Sequence, residues 1–152
     1  MKTALFVGRF HPFHKGHEFA IKPLFKKFRL VIAIGSTNKK NKENPFSFSE
    51  RKKMIRTVFP NKRYKIIGIS DIGSDKNWTR GILKKAKFDV VVTGNNWTKK
   101  CFERSGIRVV KPRLIKPRTY NATRIRKSIR ENKNWKALVP KGVVPIIEKS
   151  LS

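Results

Sequence analysis

The stretch KTALFVGRFHPFHKGH, residues 2–17, decides the fold. KTALFVG is an apolar run closed by a glycine, the form of a buried strand. Residues 8–17, GRFHPFHKGH, hold all three histidines of the chain, His11, His14 and His17, with one proline, an arginine and two glycines. A strand that runs straight into such a loop and then into a helix is the opening unit of an α/β sheet. Ligands in these sheets bind at the carboxyl ends of the strands, so the histidines stand where a ligand is expected.

The same form recurs further along. RLVIAIGS (29–36) and KFDVVVTG (87–94) repeat it, and RYKIIGIS (63–70) and GIRVV (106–110) are weaker versions. Helices are predicted between them over 15–28, 48–59, 78–86 and 96–105. Ser47 or Ser49 is the N-cap of the second, with Met54, Ile55, Val58 and Phe59 at helical spacing. Pro23 should kink the first helix or shift its start. The tail, 121–150, reads as helical, because Pro145 disfavours GVVPII as a central strand. The prediction is an α/β fold: a doubly wound parallel sheet of about five strands, helices on both faces, and a helical C-terminal segment, all in one domain over residues 1–152.

Composition narrows the function. Thirty-eight Lys and Arg against nine Asp and Glu give a net charge of +29. That favours an anionic partner. The basic residues are scattered over every segment rather than gathered on one arm, which weighs against nucleic acid, although the charge alone does not exclude it. A single cysteine, Cys101, leaves no internal disulfide or paired-cysteine metal site. No apolar run approaches the ~18 residues a membrane span needs, and MKTALFVG is short for a signal peptide. The expectation is a soluble cytoplasmic protein with no membrane partner.

The loop's residue types point to phosphate. His14 and His17, three apart on the first helical turn, share a face. Backbone N–H groups at a helix N-terminus favour anions. Gly8 and Gly16 allow close backbone approach, and Arg9 offers a planar fork of donors. The expectation is a cluster of positive imidazole, guanidinium and amide groups around an anion. A metal site would need a further ligand, and carboxylates are scarce.

GRFHPFHKGH resembles the (H/T)xGH signature of the nucleotidyltransferase superfamily, which implies a Rossmann-like sheet. ENPFSFSERKKMI (43–55), DIGSDKNW (71–78), VVVTGN (90–95) and YNATRIRKSI (120–129) are similar, in order and spacing, to the archaeal type of nicotinamide-nucleotide adenylyltransferase. Together these stretches span residues 4 to about 139. The resemblance implies transfer of AMP from ATP to nicotinamide mononucleotide (NMN), giving NAD and pyrophosphate. The nucleophile is already an anionic phosphate, so alignment and charge neutralisation carry the catalysis and no general base is needed.

The resemblance also implies roles. His14, His17, Arg9 and Arg126 are the candidate catalytic residues. Gly8, Phe10, Gly16, Gly94, Asn95, Asn121 and Thr123 join them around ATP, with Asn121 or Thr123 capping the helix of the second phosphate motif. Arg51 corresponds to the arginine that holds the NMN phosphate, and Trp78 to the tryptophan that stacks on nicotinamide. Asp75 falls in the same acceptor site but departs from the family, which often has Asn nearby; a carboxylate there is expected to favour the amide over the nicotinic-acid mononucleotide. The cofactor is Mg²⁺ or a similar divalent ion carried by the ATP phosphates, with no dedicated protein ligands. The resemblance suggests a homo-oligomer, at an electrostatic cost raised by the charge.

Three further stretches depart from the family pattern. His11 stands where relatives usually carry Gln or Asp, and either contacts phosphate or braces the loop. Asn121-Ala122 removes a hydroxyl. Trp97 replaces a different residue and reads as core in preference to an adenine contact. The rival functions are transfer to another phosphorylated acceptor (FMN, phosphopantetheine, glycerol phosphate) and nucleic-acid binding on the same fold. Trp78 and Arg51 favour the mononucleotide.

Overall fold

The computed structural model describes residues 1–71 and 73–152; Ile72, inside DIGSDKNW, lies outside them. Five strands form: β1 (Thr3–Gly8), β2 (Arg29–Ile34), β3 (Tyr64–Gly68), β4 (Val90–Val92) and β5 (Arg108–Val110). The helices are α1 (Lys15–Ile21), α2 (Phe48–Val58), α3 (Asp75–Lys85), α4 (Asn96–Arg104), α5 (Ala122–Arg130) and α6 (Val144–Leu151). All five predicted strands and all four predicted helices appear, most of them shortened at their ends, while α3 starts at Asp75, three residues before the predicted 78. Pro23 ends the first helix instead of kinking it or shifting its start: α1 begins at Lys15 as predicted and gives way to a 3₁₀ turn over Lys22–Lys26. Pro145 lies in the first turn of α6, where its missing N–H has no cost.

The chain divides into two compact units. The first contains Met1–Gly8, Pro23–Asn38 and Arg63–Pro112, and so holds the whole sheet with α3 and α4. The strands are all parallel in the order β3-β2-β1-β4-β5. Ala4 of β1 pairs Leu30 on one side and Val90 on the other. The strand order reverses between β1 and β4, and a reversal of this kind opens the ligand crevice at the strands' carboxyl ends. Leu5, Val31, Ala33, Val91, Ile82 and Phe102 form the core, with α4 packed beside β5. These β-branched runs pair into strands because both sheet faces are buried.

The second unit contains Arg9–Lys22, Lys39–Lys62 and Arg113–Ser152. It holds the histidine loop, α1, α2, α5 and α6. Helix α2 starts on a capping box: Ser47 Oγ accepts from the Glu50 N–H, and Glu50 Oε1 accepts from the Ser47 N–H. Ser47, not Ser49, is thus the cap. Helix α6 and the turn before it pack against α2, and Phe13 meets Phe59 edge-on at 6.0 Å.

Candidate active site

From Arg9 to His17 the histidine loop belongs to the second unit, and hydrogen bonds inside that unit fix one nitrogen of each imidazole. Phe10 begins it in the left-handed region, at φ 58°, a conformation that costs an L-residue roughly 1–2 kcal/mol. Its ring stacks on Phe13 at 5.6 Å and meets His17 edge-on at 4.8 Å. His14 is the N-cap of α1: its Nδ1 accepts from the Gly16 N–H at 3.0 Å. The His17 Nδ1 accepts from the His14 N–H at 3.1 Å, and the two imidazoles stack at 3.7 Å.

This corrects the picture of free amides and positive imidazoles. The rings themselves take the N–H groups of Gly16 and His14. Burial pushes His14 down to about 4, and it drives His17 well below its usual value, helped by His14. His11 is pushed down to about 3, by burial first and then by the charges of Arg51, Arg9 and Arg126. All three imidazoles are therefore neutral at pH 7. An Nδ1 that accepts a hydrogen bond carries no proton, so in a neutral ring the proton sits on Nε2. His14 and His17 are paired neutral Nε2–H donors.

Three guanidiniums supply the positive charge. Arg9 donates to Asn44 Oδ1 at 2.6 Å and to the Glu43 carbonyl. Arg51 is 0% exposed; its NH1 donates to the Arg9 carbonyl at 2.8 Å and its Nε to the Ser47 carbonyl. Burial, then Arg9, pushes Arg51 down to about 10, so it stays charged. Arg126 is buried, donating from NH1 to the His11 carbonyl at 3.0 Å and from NH2 to Glu43 Oε2 at 3.2 Å and to Thr123 Oγ1. Asn121 caps α5 by accepting from the Arg124 N–H.

His11 both braces the loop and keeps a spare donor. Its Nδ1 accepts from the Phe46 N–H at 3.3 Å, while its buried Nε2 has no hydrogen-bond partner among the described residues. The residue is 1% exposed. Sequence reasoning missed Glu43 and Asn44, which hold Arg126 and Arg9. Both sit in the quoted ENPFSFSER stretch, but neither follows a periodicity that would single it out.

In the first unit, Thr93-Gly94-Asn95 follows β4, and Asn95 Oδ1 caps α4 by accepting from the Thr98 N–H at 2.9 Å. Trp78 is only 5% exposed and belongs to the core. Trp97, expected as core, is 44% exposed. Trp78 and Phe102, the latter on α4 itself, hold the buried positions there, with ring centroids 5.7 Å apart. Asp75 accepts from Trp97 Nε1 at 3.1 Å and lies 3.7 Å from an Arg104 nitrogen.

No three His, Cys, Asp or Glu side chains converge to hold a metal among the described residues. A divalent ion would fit this donor set only with its remaining oxygens supplied by a phosphate substrate and water. No helix among the described residues is long and apolar enough to cross a membrane.

A parallel sheet reversing at β1, with the HxGH loop leaving β1, defines a nucleotidyltransferase. The cytidylyltransferase-like family model matches residues 5–140. The nicotinamide-nucleotide adenylyltransferase of Methanococcus aeolicus is 38% identical over 154 residues, covering 96% of this chain and 88% of that protein. The Pyrococcus furiosus enzyme of the same name is 35% identical over 158 residues, covering 98% and 84%. Among solved structures, a bifunctional NMN adenylyltransferase/ADP ribose pyrophosphatase from Francisella tularensis, complexed with AMP and a manganese ion, superposes with TM-score 0.76. It is 26% identical, and the match covers 91% of this chain but 44% of that one. The chain belongs to the nicotinamide-nucleotide adenylyltransferase family.

Proposed function

We propose that the chain transfers AMP from ATP to nicotinamide mononucleotide, as one nucleotidyltransferase domain over residues 1–152. A phosphate oxygen of the mononucleotide attacks the α-phosphorus, the α–β bridging bond breaks, and pyrophosphate leaves with the released electron pair. No proton has to be removed from the nucleophile.

The observation that carries this reading is the His14–His17 pair. With each Nδ1 spent on a backbone N–H, two Nε2–H donors are fixed in tautomer and in relative position. Such donors stabilise charge developing on phosphate oxygens without reorganising during the reaction. Arg9 and Arg126 add cationic donors to the leaving pyrophosphate. Gly8, Phe10 and Gly16 shape the loop; Asn121 and Thr123 order the start of α5; Gly94 and Asn95 bind the adenosine side. Arg51 acts on the NMN phosphate by charge and by holding the Arg9 backbone. Asp75 and Trp78 belong to the acceptor end. Mg²⁺ or a similar divalent ion arrives with the triphosphate and neutralises its charge. The setting is the cytoplasm, and the working form a homo-oligomer.

Pyrophosphate release tests this reading. ATP is mixed with NMN, nicotinic-acid mononucleotide, FMN, phosphopantetheine or glycerol phosphate. Release is expected with NMN, and more weakly with the acid. Release with FMN, phosphopantetheine or glycerol phosphate, and none with NMN, would contradict it.

A further inference from the structure

Folding gathers part of the basic charge that the sequence scatters. The strands of a parallel sheet share one amino end, so residues far apart in the chain meet there. In the first unit that end carries Lys2 just before β1, Lys26, Lys27 and Arg29 where β2 begins, Arg63 just before β3, and Lys87 before β4. All six are exposed, and among the described residues none of them is in an ion pair. Asp89 stands at the same edge, but one of its oxygens already accepts from the Thr3 N–H at 2.8 Å.

The strand register makes the crowding specific. Thr3 pairs Arg29, and the Arg29 N–H donates to the Lys2 carbonyl at 3.0 Å. Leu30 pairs Tyr64, which sets Arg29 beside Arg63. Like charges side by side destabilise a sheet, and an anion bound across them would relieve the repulsion. Aromatic rings lie among the cations. Phe25, Phe28, Tyr64 and Phe88 are partly buried at this edge, and Phe25 and Tyr64 are in contact at 5.7 Å.

We propose that the amino edge of the sheet is a docking surface for single-stranded nucleic acid, with phosphates on the six cations and bases against the partly exposed rings. Cations interleaved with rings suit an unpaired strand, whose bases are free to stack. A membrane surface asks for apolar side chains that protrude, whereas these four rings are partly buried. The function is additional to AMP transfer and independent of it. The ligand end of the sheet lies about 20 Å away, the length of the six-residue β1, so both ends can be occupied at once.

Fluorescence anisotropy of the full chain tests the proposal, using a labelled oligouridine of about 20 nucleotides, longer than typical sites on such surfaces. The wild type should bind it, with log K falling against log salt at a slope of about −3 to −4, the value for about four to six neutralised phosphates on a single strand. Lys26→Ala/Lys27→Ala/Lys87→Ala should weaken binding about tenfold or more and flatten the slope by about 2, while far-UV circular dichroism and NAD formation stay at wild type. Lys133→Ala/Lys141→Ala/Lys149→Ala removes the same charge from exposed positions of the second unit and should change affinity by less than about twofold. Tyr64→Leu should weaken binding and leave the slope alone, because a stacking ring carries no charge. Equal losses in the two triple variants would show that bulk charge alone binds the strand, and would overturn the proposal. A wild type that ignores the oligonucleotide yet binds phosphatidylserine vesicles would overturn it too, and assign the edge to a lipid surface.

Discussion

The imidazoles of His14 and His17 stack at 3.7 Å, and each ring caps the backbone of the turn that carries the other. Helix geometry and candidate chemistry are therefore one object. Anything that moves His14 unseats the start of α1, and anything that unwinds α1 misplaces both Nε2–H donors.

Gly16 shows how tight that object is. A Cβ at this position would lie 2.8 Å from His14 Cε1 and 3.1 Å from Tyr120 Cβ. The capping ring has nowhere to go without losing its bond. Gly16→Ala should lower kcat at least tenfold while far-UV circular dichroism stays close to wild type; undiminished turnover would show that the ring can shift freely.

The buried imidazoles make stability depend on pH. Their folded values lie below the ordinary 6.5, so the unfolded chain binds more protons as pH falls. The contribution is fully present above pH 6.5 and drains as pH drops toward about 4 for His14 and about 3 for His11. For His14 the whole span is worth on the order of 3 kcal/mol. Urea unfolding at pH 7.5 and pH 5 should show a clear loss in a window above the main carboxylate titrations. Equal stability at the two values would mean that the histidines are solvated.

Ser47→Ala removes the acceptor for the Glu50 N–H and leaves the capping box half made. It should cost about 1 kcal/mol in urea unfolding. A change within error would show that the α6 contacts alone hold α2 in place.

Arg51 is enclosed with donors on the carbonyls of Arg9 and Ser47. Lysine keeps the charge but loses the fork. Arg51→Lys should destabilise the fold by roughly 1–3 kcal/mol and raise KM for NMN. Wild-type stability together with wild-type KM would deny the residue both roles.

Much of this fold is legible in the chain itself. The β-branched runs ending in Gly or a small residue mark β1, β2 and β4, because a strand buried on both faces needs no alternation. The HxGH loop is legible for its residue types and its place after a strand. Its charge state is not, since it depends on how deeply packing buries the rings and, for His11, on Arg51 and Arg126 brought in from distant segments beside Arg9. The exchange of Trp78 and Trp97 was hidden for a related reason: spacing puts both on helices, but only packing against Phe102 decides which ring is covered. Glu43 and Asn44 carry no pattern of their own; the arginines they hold come from chain positions far away.

The central claim is that His14 and His17 steady the triphosphate while AMP is handed over. NAD formation from ATP and NMN by wild type and His17→Ala tests it most directly. A fall in kcat of about a hundredfold or more is expected, with the substituted chain still folded and still binding NMN. Turnover by His17→Ala at the wild-type rate would contradict it.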